Sequence, residues 1–319
     1  MSDRIWISWY YQRRSGELSR AFSADYRYFS DIFTSRLRRY LLCLPKTYQL
    51  ISASRPKVLF VQNPSIVLAA FAAIMKSFFR YTLVNDLHTP YLKVSPVVGR
   101  LFWGVQRFCV ARADVTLVTN ERMKRLLGER PSIRVLPDPL PAVARGARVA
   151  LPGKRNVLYV SSFAVDEPYH EVIRAASLIA PEICIHVTGR YEKAGLRAED
   201  MPANVRLTGY LSDEEYQALL LSADVVLVLT DQEGCLVCGA YEGVAAGKPL
   251  VLSATEALTG YFSRGVVFVE NDAASIAAGI MKAVSAADAL AEEVARLAVE
   301  LERDWREKFD AVERLLEER

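Results

Sequence analysis

The sequence predicts an α/β protein with two doubly wound, parallel-sheet domains in tandem, followed by one long helix. Three observations carry that expectation. Apolar runs of strand length alternate with segments of helical period, the pattern of parallel strands covered on both faces by helices. The alternation breaks once, at PDPLPAVARGARVALPG (137–153), which has four prolines and no periodicity. The chain has 319 residues, and one hydrophobic core seldom organises that many. The expected layout is a first domain over 1–139, a linker over 140–153, a second domain over 154–285 and a final helix over 286–319.

The elements follow in order. Strand-length apolar runs stand at 4–9, 57–62, 81–85, 114–119 and 133–136. Helical patterns lie between and beside them at 15–21, 35–52, 65–80, 97–113 and 121–128. Right-handed crossovers turn such an alternation into a doubly wound sheet. Past the proline-rich stretch the pattern restarts, with strands at 156–160, 183–188, 205–208, 224–230, 249–253 and 266–269. The helices here are expected at 168–179, 213–222, 236–246, 257–262 and 272–284. From Ala289 onward the chain is helical and charged, with Leu297, Leu301, Leu315 and Leu316 among its irregularly spaced apolar positions. That spacing predicts a solvated helix wrapping a domain, not a coiled coil.

Composition sets further bounds. Apolar residues are 51% and charged residues 24% of the chain, an ordinary globular balance. No apolar run reaches the ~18 residues that suggest a membrane-spanning helix, and MSDRIWISWYYQRR lacks the pattern of a secretion signal. The five cysteines are scattered and odd in number, which fits a reducing compartment without a disulfide framework. Cys235 and Cys238 form a CxxC, but no second pair or spaced histidines complete a zinc site. A redox role and small residues packed at a helix start are the two readings of it. The net charge of +3 conceals a split. Up to residue 152 there are 24 basic and 9 acidic residues, net +15; beyond it there are 16 and 28, net −12. Such asymmetry suggests that the first half faces something anionic, or that the two halves attract each other. No nucleic-acid-binding signature is present, so an anionic membrane surface is the expected partner. The segments SRLRRYLLCLPKTYQLI (35–51) and IMKSFFRY (74–81) interleave cations with apolar residues, as bilayer-interface segments do. Helices burying their leucines against a sheet read the same way.

Ligands of parallel α/β sheets bind beyond the carboxyl ends of the strands, so the residues there are the candidates. No strand is followed by GxGxxG or GxxxxGK[ST], which sets aside the dinucleotide and P-loop fingerprints. DQEGCLVCGAYEGVAAGKPLVLS (231–253) instead offers a helix N-terminus near Cys235 or Leu236, and helix N-termini hold phosphate on backbone N–H groups. Small residues at Cys238 and Gly239 would admit an anion, and Glu242 would accept hydrogen bonds from ribose hydroxyls. Ordinary loop-to-helix packing is the competing reading. Gly189 and Arg190 end another strand, and a guanidinium suits pyrophosphate. Tyr210 and Leu211 offer backbone groups and a ring edge to a base, and Ser162 joins this nucleotide-binding set from the end of the strand at 156–160. In the first half, Asp86 and His88 follow a strand two residues apart and suit deprotonation of an acceptor hydroxyl. Asn63 ends the neighbouring strand. Arg13, Arg14 and Ser15, expected just before and at the start of a helix, suit an anionic acceptor. His186 reads as core and His170 as helix surface. No tight carboxylate cluster calls for a metal, and no cofactor is expected beside the nucleotide diphosphate these residues suit.

With these residues in view, the chain resembles the GT-B glycosyltransferases of the family 4 type, most strongly over residues 205–253 (NVRLTGYLSDEEYQALLLSADVVLVLTDQEGCLVCGAYEGVAAGKPLVLS, from Asn204). The resemblance implies two Rossmann-like domains facing across a cleft, with Glu242 on the donor ribose. It also implies a diphosphate on backbone N–H groups near Cys238 and Gly239, with Gly189 and Arg190 beside it. Two departures stand out. Retaining members commonly carry two glutamates with seven residues between them, but the first position here is Gly234, with Glu233 one residue off. The cations common after the first strand of the second domain are absent from SSFAVDEP (161–168). Inversion and retention both stay open. VQNPS (61–65), DLH (86–88) and VTNERM (118–123) resemble the β-mannosyltransferases that build lipid-linked oligosaccharides. The implied function is sugar transfer to a lipid-linked or growing glycan by a peripheral enzyme on the cytoplasmic membrane face. A nucleotide-sugar epimerase and a non-catalytic partner subunit of the same fold are the alternatives.

Overall fold

The structure, a computed structural model, describes residues 3–29, 36–63, 65–88, 96–143, 146 and 148–319. It divides into two compact units, Met1–Pro139 with Asp304–Arg319, and Leu140–Arg303.

The first unit runs β1 (Arg4–Ser8), α1 (Arg13–Ala21), β2 (Asp25–Tyr28), α2 (Arg36–Ser54), β3 (Val58–Asn63) and α3 (Ile66–Phe79). It continues through β4 (Thr82–Leu87), α4 (Pro96–Arg112), β5 (Val115–Val118), α5 (Glu121–Leu127) and β6 (Ile133–Val135). Its sheet is parallel, in the order β2-β1-β3-β4-β5-β6. The β3 sequence VLFVQN is buried along its whole length, as a strand covered on both faces must be. On one face Cys43 and Ile51 of α2, Leu68 and Ala72 of α3 and Cys109 of α4 share a core with Ile5, Leu59, Val61 and Leu83. On the other, Leu18 and Phe22 pack with Trp6, Phe60, Val84 and Leu117. Burial there raises the cost of ionising thiols on the first face, and pushes the Cys109 thiol up to about 12. Strand β2 has no counterpart among the expected strands. Its sequence, DYRY, is a polar edge strand half open to solvent, so it lacks the apolar run by which the others are recognised.

The second unit runs β7 (Arg155–Tyr159), α6 (Tyr169–Ala176), β8 (Ile183–Thr188), β9 (Val205–Gly209), α7 (Asp213–Ser222) and β10 (Val225–Val228). It continues through α8 (Cys238–Ala245), β11 (Leu250–Ser253), α9 (Glu256–Tyr261), β12 (Val266–Val269), α10 (Ala273–Ser285) and α11 (Ala287–Glu317). The sheet order is β12-β11-β10-β7-β8-β9, again parallel. The chain winds outward from β7 through β8 and β9, then from β10 in the opposite direction. The switch point, where such sheets bind ligands, therefore lies between β7 and β10. The loops leaving those two strands are 160–168 and 229–237.

Helix α11 is amphipathic, not merely solvated. Val294, Leu297 and Leu301 are buried in the second unit's core. Val312 and Leu316 are buried in the first unit's core, with Trp305 and Phe309 beside them. The Trp305 indole N–H donates to the Pro137 carbonyl (3.0 Å), and Arg4 pairs with Glu313 at 2.7 Å. Among the described residues, no single helix is long and apolar enough to cross a membrane.

Candidate functional site

Helix α8 begins at Cys238, two to three residues later than the expected start, and its N-cap Val237 has no side-chain cap bond. The neighbouring helices differ: Ser212 and Glu215 form a capping box on α7, Thr255 caps α9 and Asp272 caps α10. Two glycines fix how closely α8 sits on the sheet. A Cβ at Gly239 would lie 3.0 Å from Val160 and 3.1 Å from Val228, and one at Gly243 would lie 2.4 Å from Leu250. The small side of Gly239 is thus spent against β7 and β10. Cys238, next to it, is exposed, and Cys235 is half-buried.

Glu242 stands on the second turn of α8 with 8% of its surface exposed. The Tyr216 hydroxyl of α7 donates to its Oε2, which fixes the carboxylate's direction. Glu233 is differently engaged. Its carboxylate accepts from the Glu256 N–H at 3.0 Å, at the start of α9.

The loop after β7 is organised by a carboxylate. Glu167 accepts from the hydroxyls of Ser161 (2.7 Å) and Ser162 (2.8 Å) and from the Ser162 N–H (2.9 Å). Ser162, expected among the donor ligands, is therefore bonded within its own loop. Gly189 is required where this loop meets β8. Its φ is +102°, and a Cβ there would lie 2.3 Å from the Ser161 carbonyl oxygen. The Gly189 N–H donates to the Gly209 carbonyl at 3.1 Å, drawing the ends of β8 and β9 together. The exposed Arg190 guanidinium then lies 4.8 Å from the centre of the Tyr210 ring, and that ring is 72% exposed. Leu211 turns into the core instead. At the ends of β10 and β11, Thr230 donates to Asp166 (2.9 Å), Asn271 donates to Asp231 (2.7 Å) and Ser253 donates to Asn271 (2.7 Å). Sequence reasoning passed over Asp166, Glu167 and Asn271, although each occupies a loop beyond the carboxyl end of a strand, the signal that singled out the others.

In the first unit Arg14 lies in the first turn of α1, which starts at Arg13. The two arginines belong to the helix and do not precede it. Arg13 is exposed and Arg14 buried. The Arg14 guanidinium donates to Asp86 from Nε (3.0 Å) and Nη2 (2.9 Å), to the Leu136 carbonyl (2.9 Å) and to Asp138. Burial opposes the charge on Arg14, and Asp86 and Asp138 outweigh it, raising its pKa. Burial likewise opposes the charge on the fully buried Asp86. The Arg14 guanidinium outweighs that, with help from His88, and holds the carboxyl below its ordinary value. His88 Nδ1 is 3.5 Å from Asp86 Oδ2, and the imidazole keeps 14% of its surface open.

Asn63 belongs to the other face. Gln62 is in register with Asp86, so successive side chains on β3 put Asn63 on the opposite side of the sheet. Its amide donates to Gln106 of α4 at 3.2 Å. The structure brings Arg14, Asp86 and His88 together and leaves Asn63 apart from them. Ser15 is buried, with a hydroxyl that has no partner. His186 is core, as expected, and its Nε2 is 2.9 Å from Asn156 Oδ1. Among the described residues, no group of three or more metal-ligating side chains is placed to hold an ion.

Residues 146–300 match the family model described as Glycosyl transferases group 1. No curated protein matches the sequence significantly. Among solved structures, the chain is similar to sucrose-phosphate synthase from Thermosynechococcus elongatus, with a TM-score of 0.72 and 17% identity, covering 91% of this chain and 80% of that one. It is similar to Anabaena HepE in complex with UDP and glucose, with a TM-score of 0.69 and 14% identity over 95% of this chain and 90% of that one. It is also similar to α,α-trehalose 6-phosphate synthase from Burkholderia multivorans, with a TM-score of 0.69 and 16% identity over 90% and 78% of the two chains.

Proposed function

We propose that this chain, whose residues 146–300 match the Glycosyl transferases group 1 model and whose fold is GT-B, is a nucleotide-sugar-dependent glycosyltransferase that transfers a sugar from a nucleoside-diphosphate sugar to a hydroxyl of a lipid-linked or growing glycan at the cytoplasmic membrane face. The donor belongs to the second unit. The N-terminal end of α8, at Cys238 and Gly239, faces the diphosphate, where the partial positive charge of a helix start favours an anion. Glu242 accepts from the ribose hydroxyls, Arg190 neutralises phosphate charge, and the open Tyr210 ring stacks with the base. The observation that carries this reading is the Glu242 carboxylate, oriented by Tyr216 near the start of a closely seated helix.

Asp86 and His88 serve the acceptor. Asp86 is buried and paired with Arg14, so its part is to orient His88, whose Nδ1 lies 3.5 Å from it. The partly open imidazole takes the proton. The acceptor oxygen bonds to the anomeric carbon, the bond from that carbon to the diphosphate breaks, and the acceptor proton passes to His88. The diphosphate leaves with the electron pair, stabilised by the α8 amides and Arg190. Neither group requires a metal.

Turnover tests this assignment. The wild-type protein should transfer sugar from one of a panel of UDP-, GDP- and ADP-sugars to a detergent-solubilised polyprenyl-pyrophosphate glycan. His88→Ala should lower kcat by about 10²–10⁴-fold, the usual worth of a general base. Free epimer as the sole product, or undiminished transfer in His88→Ala, would overturn it.

A further inference from the structure

The outer face of α2, α3 and α4 presents large apolar side chains to solvent. Leu41 is 65% exposed, Phe78 72% and Leu101 70%, with Leu42, Ile74 and Phe108 also open. These are neighbours on one surface, because the three helices bury their opposite sides in a single core against the same sheet face. The spacing explains the exposure. Ile74 and Phe78 are four residues apart on α3, and Leu101 and Phe108 seven apart on α4, so each pair shares one helical face. That face points away from the sheet.

Charge on this surface is predominantly positive, with Asp114, just beyond α4, paired to Lys76 of α3 at 2.6 Å. The three helices carry eight Lys or Arg and no Asp or Glu, and between Asp31 and Asp114 the only carboxylate side chain in the sequence is Asp86. Asp86 is fully buried and bonded to Arg14 on the other face of the sheet. Lys46 on α2, and Arg100 and Arg107 on α4, are exposed beside the apolar residues. A surface that joins protruding leucine and phenylalanine side chains to cations on helices that contain no carboxylate complements an anionic bilayer, which takes the apolar tips below the headgroups and pairs the cations with phosphate.

We infer that the outer face of α2, α3 and α4 is the surface by which this protein docks on an anionic lipid bilayer. The inference rests on the membrane-face part of the proposed function, and its test separates the two. The full chain is sedimented with vesicles of phosphatidylcholine alone or with one-third phosphatidylglycerol, beside the variants Phe78→Ser/Leu101→Ser and Lys46→Gln/Arg107→Gln. The wild type should bind the anionic vesicles and release at high salt. The apolar variant should bind at least tenfold more weakly, and each lost cation should lower partitioning about fivefold. Because these side chains are exposed, the nucleotide-induced thermal shift should survive in both variants, which shows that they are folded. Wild-type binding that is absent, or equal in the variants, would overturn the inference. So would a dimer in analytical ultracentrifugation that Phe78→Ser/Leu101→Ser splits into monomers, since the face would then belong to a second copy of the chain. Transfer to the detergent-solubilised acceptor is read in parallel. Its persistence without vesicle binding sinks the docking surface alone, and its loss with vesicle binding intact sinks the catalytic assignment alone.

Discussion

At the scale of single residues, charge burial decides what each candidate can do. Asp86 has the position of a base and the environment of a structural anion, because Arg14 holds it bidentately in the interior. Removing the cation leaves a buried carboxylate unpaired, so Arg14→Met should destabilise the protein by about 3–5 kcal/mol, measured by urea unfolding. The pH dependence follows from the same pair. The folded-state pKa of Asp86 lies below its ordinary value, so its stabilisation is fully present above about pH 4 and is lost as pH falls through the lowered value. Asp86→Asn should therefore flatten the acid limb of the stability curve, and an unchanged limb would contradict the pairing. At Glu242 the change is functional. Hydrogen bonds to a charged group are worth about 1.5–3 kcal/mol, so Glu242→Ala should raise the donor KM by roughly one to two orders of magnitude. The residue types at these positions were legible in the sequence because each follows a strand or opens a helix. Their partners were not, since Arg14 and Asp86 are 72 positions apart and only the fold brings them together.

At the scale of elements, the buried strands were the easiest to read, because continuous apolar runs such as VLFVQN and DVVLVL admit few other interpretations. The edge strand DYRY escaped because a half-exposed strand needs no apolar run. Helix α8 also started later than its sequence suggested. The small residues at 234–239 signal both a helix start and a close approach, and the structure assigns the glycines to approach. That assignment is testable. Gly239→Ala would crowd Val160 and Val228 at about the limit of normal contact, so it should cost about 1–3 kcal/mol as other overpacking changes do. It should also displace the start of α8 and weaken nucleotide binding alongside stability. Differential scanning fluorimetry with and without nucleotide reads both effects, and an unperturbed protein would show that the helix has room to spare.

At the scale of the whole chain, the charge split and the terminal helix are the features with consequences. The basic half contains the carboxylate-free helices, and the acidic half contains nearly all of the residues that match the Glycosyl transferases group 1 model. The sequence displayed that division by counting alone. It did not display that the helix beginning at Ala287 ends in the core of the first unit, because irregular apolar spacing looks the same on a solvated helix and on one that changes its packing partners along its length. Val312 and Leu316 are nearly fully buried there. Leu316→Ala should cost about 2–5 kcal/mol, and removing residues 304–319 should expose Trp6 and Phe60 and abolish cooperative unfolding of the first unit. A truncated chain that unfolds as the full one does would contradict that packing.

The central claim is that the start of α8 and Glu242 together hold a nucleoside diphosphate. Titration calorimetry of the wild type and Glu242→Ala with UDP, GDP and ADP tests it most directly. The account predicts saturable binding of at least one of them to the wild type, weakened ten- to hundredfold in the variant. Equal affinity in the two proteins, or heat from neither, would contradict it.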